Sequence, residues 1–151
     1  MAPLPDAATL ATLVTNVTGT MCGISFEPAD PHTPNADLLW KVAILPIDGS
    51  RPLRVALSSD QAGCVALGSA LLGFAPDELD AATINDSLCE LLNMAAGQIK
   101  SALALDQALG LPKIVAASDL SPSAEAALRG GVLLRSRGTA DLLIWISEGN
   151  A

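Results

Sequence analysis

The sequence predicts an α+β domain in which helices pack on one side of a mostly antiparallel sheet. Three observations carry the prediction. Apolar residues recur at helical spacing in separated segments. Short apolar runs flank the turn sequences "DGSRP" and "GTA", as strands of antiparallel hairpins do. The elements then read, in order, as helix, two strands, helix, long helix, strand and hairpin.

Each element has its own warrant. Thr9 to about Met21 is the first helix, with Leu10, Leu13, Val14 and Val17 on one face. "FEPADPHTPNAD" follows as a loop, dense in Pro, Asp and Asn. Leu38–Ile47 and Leu53–Leu57 are strands, and the Asp-Gly between them signals a hairpin. Ser58, Ser59 and Asp60 are N-cap candidates for a second helix that ends near Gly73. A long third helix starts near Leu79 or Asp80 and runs to about Leu109, where Gly110 and Pro112 stop it. "LPKIV" is a short strand, and "AASDLSPSAEAALR" a small, polar connection. Val132–Arg137 and Asp141–Ser147 close the chain as a hairpin; the second, "DLLIWIS", is apolar on both faces, as a covered strand is. Trp40 and Trp145 fall on strands and are expected in the core.

Bulk properties narrow the function. The 151 residues suggest one domain, residues 1–151, and half of them are hydrophobic. The net charge is -8 with no basic cluster, so a nucleic-acid partner is not expected. The three cysteines form no Cys-x-x-Cys pair, and the single His32 has no cysteines near it, so no metal site is expected. No apolar run approaches the ~18 residues of a membrane span. "MAPLPDAATL" lacks a basic leader, and a cytoplasmic location is expected.

The long helix contains "CELLNMAAGQIK", Cys89 to Lys100. At ~100° per residue, Asn93 lies about 60° round from Glu90, and Gly97 and Ser101 about 20° to either side of it. Asp86 and Lys100 flank the same stripe. Ile84, Leu88, Leu91, Leu92, Ala95, Ile99, Ala102 and Leu103 lie opposite, so the helix is amphipathic with its back to a core. A mid-helix Gly costs roughly 1 kcal/mol against Ala, which suggests close approach by another molecule. Glu and Asn on an exposed helix face are ordinary, however, and Glu-x-x-Asn arises by chance in about one such chain in three.

The longer string is more specific. "CELLNMAAGQIKSAL" followed by "LPKIV" resembles the chemotaxis phosphatase family of CheX, which is related to CheC. In that family a long helix carries Glu-x-x-Asn and then Met/Ile-x-x-Gly, matched here by Glu90, Asn93, Met94 and Gly97; Leu111, Pro112 and Val115 match a later Leu-Pro-x-x-Val. The resemblance implies a CheC/CheX-like fold and hydrolysis of the aspartyl-phosphate of a CheY-like response regulator. Asn93 would orient the attacking water, and Glu90 would pair with the regulator's active-site Lys. Asp86, Gly97, Lys100 and Ser101 complete the candidate contact face. The regulator would bring its own divalent metal (Mg), so this chain needs no cofactor. An amide suits the role because it donates and accepts at once, and phosphoryl transfer depends mainly on positioning and charge.

CheC-type relatives carry a second Glu-x-x-Asn in the first helix. Here that stretch is "LVTN", with Leu13 in place of Glu beside Asn16, so a second site is not expected. Likeness to CheX rather than CheC implies a homodimer joined through a continuous sheet. The alternative is a non-catalytic adaptor of the same fold, docking on a regulator or a motor-switch component.

Overall fold

The computed structural model describes residues 3–29, 36–136 and 140–148. Helix α1 spans Ala7–Cys22. Strand β1 is the two residues Glu27–Pro28. A 3-10 turn, Ala36–Leu39, leads into the hairpin of β2 (Lys41–Ile47) and β3 (Leu53–Ser59). Helices α2 (Gln61–Leu72) and α3 (Ala81–Ala102) follow. Then come β4 (Lys113–Ala116), α4 (Pro122–Arg129), β5 (Val132–Arg135) and β6 (Asp141–Glu148). His32 and Arg137 lie outside the described residues.

The six strands form one sheet in the order β1-β5-β6-β3-β2-β4, and every neighbouring pair is antiparallel. Strand alternation explains its two faces. Leu45, Ile47, Leu53, Val55, Leu57, Leu142 and Ile144 point to one side and meet α1, α2 and α3 in the main core. Val42, Ala56 and Leu143 point to the other, where they meet Leu39, Leu128 of α4 and the half-buried Trp145. The three long helices thus share one side as the sequence predicts, and a smaller cluster under α4 covers part of the second.

Five local readings change. Glu27 and Pro28, read as part of a loop, form β1 beside β5. The stretch read as a connection contains α4, capped by Ser121, whose hydroxyl accepts from the Ala124 N–H, with Pro122 at the first helical position. Its short length and single buried residue, Leu128, gave it no apolar stripe to read. The first hairpin strand starts at Lys41 rather than Leu38, because Leu38 and Leu39 turn inward on the 3-10 turn. Trp40 therefore stands outside the core at 37% exposure, with the Lys41 ammonium 5.1 Å from its ring centre. The long helix ends at Ala102 rather than Leu109. Ala104 adopts a left-handed backbone, φ 52°, and the Leu105 N–H bonds back to the Lys100 carbonyl. Leu103 and Leu105 on either side pack into the core, which fixes the stop against high helix propensity.

Candidate functional site

The site is built on α3. Asp80 caps it, its carboxylate accepting from the Thr83 N–H at 2.8 Å and from the Thr83 hydroxyl at 2.6 Å. Those bonds hold the Asp80 carboxyl below the usual carboxylate range. The back of the helix is built in: Leu88, Leu92 and Ala96 are fully buried, and Ile84, Leu91, Ala95 and Ile99 nearly so. They seat α3 against α1, α2, β2 and β3. This anchoring sets the direction in which the opposite residues point.

That opposite face carries the predicted residues together. Glu90, Asn93, Asp86 and Ser101 are exposed, and Gly97 and Lys100 are half-buried. Neither Glu90 nor Asn93 bonds another side chain or the backbone through its side chain among the described residues. At i and i+3 they are adjacent, about 5–6 Å apart at Cβ. A carboxylate acceptor thus stands beside an amide that both donates and accepts, with their bonding capacity turned outward. A Cβ built on Gly97 meets nothing within 4 Å, so the helix surface one turn beyond Asn93 is open.

One neighbour was not among the site residues the sequence suggested. Cys89 sits three residues after Asp86 and four before Asn93, which places it on the edge of the same face. It is half-buried, and burial, reinforced by the Asp86 charge, pushes its thiol up, so it stays protonated beside the pair. Spacing alone could have placed it. In α1, Leu13 packs against the main core while Asn16 is exposed, so the first helix presents an amide with no carboxylate three residues before it. Among the described residues no three His, Cys, Asp or Glu converge on a point, and no helix is long and apolar enough to cross a membrane.

A six-stranded antiparallel sheet, three helices on one side, and an outward Glu-x-x-Asn on the longest define the class of CheC/CheX-like α+β domains. A family model described as "Chemotaxis phosphatase CheX" matches residues 42–132, a span that contains the whole of α3. The chain belongs to the chemotaxis phosphatase CheX family.

Solved structures agree in fold. The chemotaxis protein CheX of Vibrio vulnificus is 18% identical, with 97% of this chain and 100% of that one covered and a TM-score of 0.69. CheX of Desulfovibrio desulfuricans is 18% identical over 93% and 96% of the two chains, with a TM-score of 0.65. The CheX-CheY-BeF3-Mg+2 complex of Borrelia burgdorferi matches at 14% identity over 93% and 96%, with a TM-score of 0.68. No curated protein matches in sequence.

Proposed function

We propose that this chain removes phosphate from the aspartyl-phosphate of a CheY-like response regulator. The observation that carries the reading is the pair Glu90 and Asn93, exposed, adjacent and unbonded on a helix whose back is fixed in the core. Membership of the CheX family supports it, as does the similar Borrelia burgdorferi protein described in complex with CheY. In this reading α3 lies across the regulator's active site. Asn93 holds a water in line with the phosphorus, its carbonyl accepting from the water and its amide donating to an oxygen of the transferring group. Glu90 pairs with the regulator's Lys in a charge-assisted contact that sets the register. Asp86, Gly97, Lys100 and Ser101 border that contact. The regulator supplies the acyl phosphate and its divalent metal; this chain supplies orientation. A hundredfold acceleration needs only about 2.7 kcal/mol at the transition state, within reach of one well-held water.

The reading includes a cytoplasmic homodimer joined sheet to sheet. Among the described residues the sheet ends at β1 and β4. Strand β4 has four residues against two, and Leu111 beside it is 87% exposed, so β4 is the edge we assign. Sedimentation tests it: the wild type runs as a dimer and Leu111→Asp as a monomer, and a monomeric wild type removes the assignment.

The test of function is the decay of a phosphorylated regulator with and without this chain. Wild type speeds the decay; Asn93→Ala binds the regulator and leaves its decay at the unassisted rate. A wild type that binds without changing the decay rate is an adaptor, and the hydrolytic reading is then wrong.

A further inference from the structure

We infer that Gly97 is a specificity-determining position, where the missing side chain sets how closely a response regulator approaches α3. The inference rests on the phosphatase reading above. Among the described residues the helices contain Gly19, Gly63, Gly68 and Gly97. The two in α2 are dictated from within. A Cβ on Gly63 would run into the Ser59 hydroxyl, and one on Gly68 would lie 3.0 Å from the Ser87 hydroxyl. A Cβ on Gly19 would make ordinary contact, 3.6 Å from the Thr15 methyl. Gly97 differs from all three in that its Cβ would meet nothing within 4 Å among the described residues; like theirs, its φ is not positive. Neither packing nor backbone conformation asks for glycine there, yet glycine is the least favourable helix residue after proline. Gly19 is as little constrained but lies on α1; Gly97 lies on the Glu90–Asn93 face of α3, so the clearance there is available to a molecule docked on that pair.

Position says from where. Gly97 lies about 6 Å along the axis from Asn93 and about 20° round from Glu90. A molecule seated on Glu90 and Asn93 extends over this turn. With no side chain at 97, its surface reaches the helix backbone. A methyl group holds that surface off by on the order of 1 Å, and a displacement of that size can lower a positioned reaction about a hundredfold. Gly97 and Asn93 thus act on one geometry, the first by leaving room and the second by filling it.

The experiment compares Gly97→Ala and Gly97→Leu with Gly19→Ala as the control. Three readouts are taken: thermal unfolding, regulator dephosphorylation across regulator concentrations, and binding to a CheY-like regulator carrying beryllium fluoride. Both alanine variants unfold about 3 °C higher than wild type, because each removes a helical glycine. Gly19→Ala keeps wild-type activity. Gly97→Ala lowers kcat/KM for the regulator about a hundredfold, and Gly97→Leu abolishes binding at concentrations that saturate wild type. Gly97→Leu with wild-type kcat/KM and binding overturns the inference and leaves the phosphatase reading standing. A wild type that binds without hydrolysis, with Gly97→Leu unable to bind, retains the clearance role and removes the phosphatase reading. A wild type that neither binds nor hydrolyses removes both.

Discussion

Gln107 closes the β2–β3 hairpin by bonding both backbone polar groups of Arg51: its Oε1 accepts from the Arg51 N–H at 2.9 Å, and its Nε2 donates to the Arg51 carbonyl at 2.8 Å. The amide is 7% exposed and lies so near Gly49 that a Cβ there would fall 2.5 Å from Gln107 Cγ. Gly49 has φ 151°, so both space and backbone favour glycine at that turn. Removing the amide leaves an N–H and a carbonyl without partners. Gln107→Ala is expected to lower unfolding stability by about 2–3 kcal/mol in urea, the sum of two lost bonds and the desolvation they offset. A loss below about 0.5 kcal/mol, the range of an ordinary surface substitution, counts against the clamp.

The proposed contact of Glu90 is ionic and sits on an exposed face. Its contribution is therefore screened by salt. Raising ionic strength from about 0.05 to about 0.5 M should raise the KM for the phosphorylated regulator in the wild type, and less so in Glu90→Gln. Equal salt slopes for the two proteins would show that Glu90 faces no cation.

The Asp80 cap makes α3 sensitive to acid. The Thr83 hydroxyl and then the Thr83 N–H hold the folded carboxyl below its unfolded value of about 3.9. A depressed folded pKa stabilises above the unfolded value, and that stabilisation is lost as pH falls through the folded one. Asp80→Asn keeps an acceptor but has no proton to take up. The stability difference between wild type and Asp80→Asn, followed by thermal unfolding from about pH 6 to about pH 3, should shift steadily against the wild type. A difference that stays constant over that range would exclude the linkage.

Cys64 is fully buried, and its thiol is pushed up to about 12, first by burial and then by the Asp60 charge, against a smaller opposing effect of Lys41. The thiolate is the reactive form. At about pH 8 an alkylating reagent should label Cys64 only at the rate of global unfolding, while the half-buried Cys22 and Cys89 label sooner. Peptide mapping over time separates the three, and early labelling of Cys64 would contradict its placement.

The legible parts of the chain were those written by periodicity. The hairpins, α2 and the two sides of α3 follow from apolar spacing and caps that lie next to one another in the sequence. The parts that escaped depend on partners far away. Glu27 and Pro28 form a strand only because Arg135 and Leu134 lie alongside, and Pro28 gives no strand signal of its own. The end of α3 depends on Leu103 and Leu105 finding the core and on Gln107 finding the hairpin, 56 residues back at Arg51. Helix α4 did carry local signals: Ser121-Pro122, and Glu125 one turn before Arg129, now an ion pair of 2.9 Å. With Leu128 its one buried residue, those signals were outweighed by a polar, small-residue composition. At the site, Glu90 and Asn93 could be placed on one face by arithmetic. That a Cβ at Gly97 would touch nothing among the described residues could be seen only with its surroundings in place.

The two sides of α3 are constrained by different surroundings. Leu88, Leu92 and Ala96 are read by the sheet and by the neighbouring helices, and any drift there is punished as misfolding. Asp86, Glu90, Asn93 and Ser101 are exposed and make no side-chain bond among the described residues, so drift there leaves the core intact. A substitution on that face can therefore change what the helix meets while leaving the fold unchanged.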